Sequence, residues 1–148
     1  MINLNWTELK PLKPFIKKDL ENCFSSPKLD TATRRCIKKA TTNRRTYSEC
    51  VNLLLVCIDV NYRNPNFEST TLFMFACAEG NYFIIEQISN FDFSQNSFKP
   101  DQKLNLNLKD NNQRNFLHYL LTSQIQEDDA YEIISRFVSD SDYKTRYI

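Results

Sequence analysis

One glycine in 148 residues, Gly80, constrains this chain more than any other count. Loops that cradle phosphates need several glycines, because a side chain would hold the backbone away from the anion. A lone glycine supplies neither a dinucleotide fingerprint nor a P-loop. Hairpin-rich barrels and sandwiches are disfavoured on similar grounds, since their tight turns draw on glycine. The single histidine, His118, likewise excludes HExxH and two-His metal centres. Apolar residues at 41% and aromatics at 13% exceed what a disordered chain carries. A chain of 148 residues suits one domain, which buries roughly two-thirds of its unfolded surface. The expectation is an all-α fold.

Nothing in the sequence points to a membrane or an oxidising compartment. Met1-Ile2-Asn3-Leu4-Asn5-Trp6 lacks a basic segment followed by an apolar one, so no secretory leader is expected. The most apolar stretch, Val51 to Val60, is too short to span a bilayer and contains Asn52 and Asp59. Cys23, Cys36, Cys50, Cys57 and Cys77 are odd in number, form no CxxC and sit mostly within apolar patterns. Reduced core thiols in a cytoplasmic or nuclear protein are therefore expected. Cys50 and Cys57, seven apart, can share a helical face, but no further ligands complete a zinc tetrahedron. No metal, cofactor or small-molecule substrate is expected.

The net charge of +1 conceals an asymmetry. Residues 1–50 carry 11 basic and 5 acidic side chains, or +6, whereas residues 51–148 carry 8 and 13, or −5. The two halves would attract different partners.

Residues 1–30 form an N-terminal helical extension in this reading. Pro11 and Pro14 interrupt it, and a short helix with Ile16, Leu20 and Phe24 on one face ends at Ser25-Ser26-Pro27. Residues 31–148 read as pairs of short helices. Thr31 caps a helix to about Thr41, with Ile37 and Ala40 inward. Thr46 and Glu49 have capping-box spacing and open a helix burying Tyr47, Val51, Leu54, Leu55 and Ile58. After an extended stretch, helices are expected at Thr71–Ala78 and Tyr82–Ile88, with Gly80 in the turn between them. A polar loop covers residues 90–103. Helices follow at Asn115–Thr122 and after Glu127-Asp128-Asp129, the latter burying Ile133, Ile134, Phe137 and Val138.

Folded on itself, this string repeats a unit of extended finger, short helix, tight turn and longer helix. Asn107 to His118 resembles the opening of an ankyrin repeat, NAKDKDGRTPLH, in unbroken register, matching at Asn107, Lys109, Asp110, Arg114, Leu117 and His118. Thr71 to Asn81 is similar to TPLHLAAxxGH through Thr71, Ala76 and Gly80. Residues 31–61 resemble a worn earlier copy, carried by the second helix and Asp59-Val60-Asn61. The family's period is about 33 residues, whereas the equivalent Met74 and His118 lie 44 apart, most of the excess falling in the 90–103 loop. Gln113 stands where the family has glycine, and Asn115-Phe116 where it has Thr-Pro. The resemblance implies stacked helix pairs, a concave face and protruding fingers that bind a protein, in an adaptor, inhibitor or assembly factor without enzymatic activity. It also implies a structural His118 that bonds backbone at the hairpin base.

Two surfaces are candidates for binding. The fingers offer Tyr62, Arg63, Asn64 and Phe67 in one unit and Lys109, Asn111 and Arg114 in the next, the aromatic and arginine types that anchor interfaces. Arg34, Arg35, Lys38 and Lys39 fall at i, i+1, i+4 and i+5 of one helix, a solvent-facing basic stripe, with Arg44 and Arg45 on the loop that follows. That basic half is the alternative docking surface, for a nucleic-acid-containing assembly such as a ribosome. A stripe of this kind is also the ordinary solvated face of a helix.

Overall fold

The computed structural model describes residues 26–40, 44–96 and 99–138. Among them are six α-helices and no strand, so the described chain is all-α. The expected helix carrying Ile16, Leu20 and Phe24 lies outside the described residues, as does everything after residue 138.

Helix α1 spans Ser26–Ala40 and opens five residues ahead of Thr31. Pro27 fits its first turn, where the missing N–H would have had no helical partner. Thr31 is therefore interior, its hydroxyl donating back to the Pro27 carbonyl at 2.8 Å. Helix α2 spans Arg44–Leu55, so Thr46 does not cap it, and Arg44 and Arg45 lie in its first turn instead of on a loop. Arginine's greater helix propensity favours that extension.

The later helices fall where they are expected, with Thr71 and Asn115 standing one residue ahead of them as caps. Thr71 Oγ1 accepts the Met74 N–H at 3.2 Å to open α3, Leu72–Glu79. Gly80 ends it at φ 69°, donating to the Ala76 and Cys77 carbonyls. A Cβ at Gly80 would sit 3.1 Å from Ile125 N, so both the left-handed backbone and the close approach require glycine. Asn81 then caps α4, Tyr82–Ser89. Asn115 opens α5, Phe116–Thr122, and Glu127, Asp128 and Asp129 occupy the first turn of α6, Glu127–Val138, against its positive end.

Helices α1 and α2 pack as a hairpin, as do α3 and α4; α3 touches α1 on one side and α5 on the other, while α4 touches α2 and α6. The core fills the space between these two rows. Ile37, Ala40, Val51, Leu55, Ala76, Cys77, Ile84, Ile88 and Leu120 are sealed from solvent, and the small Ala76 and Cys77 let α3 approach its neighbours closely. Phe73, Phe116 and Phe137 form an aromatic triangle with ring centres 5.4–5.9 Å apart.

The 90–103 loop does more than connect. Asn96, 1% exposed, donates to the carbonyls of Leu55 and Ile58 at 2.6 and 2.7 Å. Gln102 accepts the Val60 N–H at 3.0 Å and donates to Ile58 O at 3.2 Å. These side chains satisfy carbonyls that the end of α2 leaves without helical partners.

Candidate functional site

The two predicted fingers meet along their length. The first is closed by the Asn64 N–H on Thr70 O at 3.1 Å and a 3-10 turn at Pro65–Phe67. It returns through Glu68 and Ser69, both left-handed at φ 59° and 61°. In the second, the Asp110 carboxylate accepts the Asn112 and Arg114 N–H groups at 2.8 and 2.9 Å. Its other oxygen takes Arg114 Nε at 3.1 Å and the Tyr119 hydroxyl. Gln113 turns this finger at φ 63°, adopting the conformation that glycine would take more readily.

Three contacts join the fingers into one ridge. Arg63 Nη1 donates to Lys109 O at 3.2 Å, the Asn111 N–H donates to Glu68 O at 3.0 Å, and Arg114 Nη2 pairs with Glu68 Oε2 at 3.5 Å. Arg63, Phe67, Glu68, Lys109 and Asn111 are exposed on it; Tyr62 and Arg114 are half-buried. Asn64 is not available to a partner. It is fully buried, with Oδ1 accepting the Asn66 N–H at 2.9 Å and Nδ2 donating to Asp30 Oδ2 at 2.8 Å.

Arg34 departs furthest from the sequence reading. It is only 5% exposed and does not belong to a solvent-facing stripe. Its Nε pairs with Asp30 Oδ2 at 2.7 Å, and its two terminal nitrogens donate to Thr70 Oγ1 and Thr70 O at 2.8 and 2.7 Å. The guanidinium lies 4.5 Å from the ring centre of Phe67 and 5.5 Å from that of Phe75, a cation–π arrangement that supports Phe67 from below. Arg34 thus anchors the first finger to α1. Arg35, Lys38 and Lys39 are exposed, while the side chains of Arg44 and Arg45 lie outside the described residues. Asp30 and Thr70 were not singled out from sequence, although the i, i+4 spacing of Asp30 and Arg34 is the usual signature of a helical ion pair.

Electrostatics follow this anatomy. Burial pushes the Asp30 carboxyl above its ordinary 3.8, with Arg34 and Asn64 pulling it part of the way back. Asp30 Oδ1 has no partner among the described residues. Burial would also raise Asp110. There, the Tyr119 hydroxyl, the Arg114 and Asn112 N–H groups and the Arg114 guanidinium prevail and hold the carboxyl below 3.8. Burial and the bond to Asp110 push Tyr119 up to about 12.

The remaining candidates are structural in their surroundings. His118 Nδ1 accepts the Asn115 N–H at 3.2 Å while Asn115 Oδ1 accepts that of Leu117 at 3.0 Å, a reciprocal cap on α5. Cys50 does not pair with Cys57, which points its thiol at Leu53 O at 3.7 Å; it faces Cys36. Among the described residues, no three His, Cys, Asp or Glu side chains gather as a metal site, and no helix is long and apolar enough to cross a membrane. A groove between α2 and α4, lined by Asn52, Leu53, Val56, Gln87, Phe91 and Asp92, is bridged by Gln87 Nε2 donating to Asn52 Oδ1 at 2.8 Å. Comparison with protein-family models, curated proteins and solved structures finds no match.

Proposed function

We propose that the chain is a short ankyrin-like repeat protein without enzymatic activity, which binds a protein partner through its joined fingers and concave face. The order of helix contacts supports the repeat reading: first helices adjoin first helices, second helices adjoin second helices, and a finger precedes α3 and α5. Gly80 and the Asn115–His118 cap stand where the ankyrin pattern asks for them.

The observation that carries the binding reading is the ridge, where Phe67 is presented over a buried Arg34 and Arg63 is bonded to Lys109 of the second finger. Each finger is held by its own turn bonds and by its neighbour. A surface ordered in advance loses little conformational entropy on docking, and exposed aromatic and arginine side chains are the usual anchors. An adaptor, an inhibitor and an assembly factor would all work this way. The basic half as a dock for a nucleic-acid-containing assembly is the competing reading. Without Arg34, the described part of its helical stripe comprises Arg35, Lys38 and Lys39.

Capture from native lysate, followed by calorimetry on the captured partner, tests the proposal. Arg63→Ala with Phe67→Ala is expected to weaken binding by about thirtyfold or more, the size of a hot-spot loss, while helical content stays unchanged. Charge reversal at Arg35, Lys38 and Lys39 is expected to leave affinity within about threefold, a loss below the hot-spot class. Affinity that collapses with salt and with those reversals, but tolerates the finger changes, would refute the proposal in favour of a nucleic-acid partner.

A further inference from the structure

Cys36 and Cys50 take no part in the ridge. One lies on α1 and the other on α2, both are buried, and their sulfurs are 3.0 Å apart. The structure describes both as free thiols. A disulfide holds its sulfurs at about 2.05 Å, so the bond needs an approach of about 1 Å, within the reach of small side-chain adjustments. Cys57 and Cys77 differ in setting: the first is directed at a backbone carbonyl, and the second is fully buried.

We propose that Cys36 and Cys50 form a redox pair that peroxide closes to an intrachain disulfide, stapling α1 to α2. Hydrogen peroxide is small enough for a buried thiol to reach with little opening of the hairpin. The Cys36 thiolate attacks one peroxide oxygen; an S–O bond forms and the O–O bond breaks. The departing hydroxide takes the proton that Cys36 gave up, leaving water and a sulfenic acid. Cys50 then loses its proton and attacks Cys36 Sγ. The S–S bond forms, the S–O bond breaks, and hydroxide leaves to become a second water. Two thiols are oxidised by two electrons, and one peroxide is reduced to two waters.

The surroundings assign the order of attack. Either thiol can donate to the other's sulfur; when Cys50 donates, Cys36 is drawn below the ordinary thiol value of 9.0, and the charges of Lys39 and Arg35 act in the same direction against burial. Cys50 is pushed above it by the same bond and by burial. Cys36 is therefore the nucleophile and Cys50 the resolving thiol. The closed loop runs 14 residues from one cysteine to the other, so the staple restricts the unfolded chain. It also ties down the helix whose Asp30 and Arg34 hold the first finger. The proposal does not depend on what the fingers bind.

The test uses the whole reduced chain, a slight excess of hydrogen peroxide, alkylation of remaining thiols and peptide mapping by mass spectrometry. A dithiothreitol-reversible peptide linking Cys36 to Cys50, with two hydrogen atoms lost and a higher urea midpoint, is expected. In Cys50→Ser, the Cys36 sulfenic acid should persist and be trapped by dimedone, whereas the wild-type chain should give little adduct. Recovery of both cysteines alkylated after treatment would overturn the proposal. So would a link from either to Cys23, Cys57 or Cys77, or passage of wild-type Cys36 to sulfinic acid without the link. If Cys50→Ser does not fold, the wild-type peptide map still decides.

Discussion

Replacing Arg34 by Met tests whether a charge counted as surface from sequence is in fact the keystone of the first finger. The Arg34 and Asp30 side chains are 6% and 3% exposed, with 2.7 Å between Nε and Oδ2. Removing one partner of such a pair strands the other charge and costs about 3–5 kcal/mol. The change also takes the Arg34 donor from Thr70 O, a loss of about 1 kcal/mol or more that overlaps the first. The expected total is about 4 kcal/mol, a large part of the roughly 5–15 kcal/mol that holds a domain together. Adding Asp30→Asn should recover about half of it, because the stranded charge is then gone. Arg35→Met, on the exposed side of α1, should stay within about 0.5 kcal/mol.

The pH dependence has a definite sign. Burial raises the Asp30 carboxyl above 3.8 in the folded chain, so the folded state holds that proton more tightly than the unfolded state does. Stability from this group therefore falls as pH rises from 3.8 through the raised value. Without Arg34 to pull it back, the carboxyl rises further. The Arg34→Met deficit should thus be greatest near neutrality and shrink towards pH 4, roughly the unfolded carboxylate value. Urea unfolding followed by far-ultraviolet circular dichroism, across pH and for all four chains, measures each quantity. A deficit under about 1 kcal/mol, below the range for a stranded buried charge, or one equal to that of Arg35→Met, would refute the keystone role.

Three further outcomes are expected. Asn96→Ala should cost about 1–3 kcal/mol, because the buried Leu55 carbonyl loses the Asn96 donor and the Ile58 carbonyl keeps only that of Gln102. Asn96→Asp should be no better, since a carboxylate offers those carbonyls no hydrogen; chemical unfolding reads both. Gln113→Gly should stabilise by roughly 0.5–1 kcal/mol by relieving the left-handed backbone at φ 63°. Gly80→Ala should destabilise by about 1–2 kcal/mol through the same strain plus the approach to Ile125 N; urea midpoints should move in opposite directions. Asp110 is held below 3.8, so its stabilisation is present above that value and lost as pH falls through the folded value. Asp110→Asn should remove this acid-dependent loss, and Tyr119, pushed up to about 12 by burial and the bond to Asp110, should ionise earlier in a spectrophotometric titration of that variant.

The turn at Gly80 and the inner face of α4 are legible because their signals are local: Gly80 closes α3 with its own backbone bonds, and Ile84, Ile85 and Ile88 fall inward by helical period alone. Thr71 and Asn115 read as the first helical residues and prove to be the caps one residue ahead. The opening of α1 is not legible, because Thr31 suits both a cap and an interior position, and only the surrounding fold decides between them. The finger sites were half legible. Composition marked Arg63, Phe67 and Lys109, yet could not separate them from Asn64, whose partner Asp30 lies 34 residues away.

Taken alone, the sequence determined the helical class, the pairing of short helices and the turn at Gly80, since each rests on spacing and backbone preference within a few residues. Tertiary structure decided which charges are surface and which are structure. Arg34 and Arg35 are adjacent and chemically alike, yet helical geometry turns one into the Thr70 and Phe67 contacts and leaves the other in water. The same holds for the thiols: Cys36 faces Cys50 because α1 packs on α2, a juxtaposition set by packing across the hairpin and carried by no local pattern.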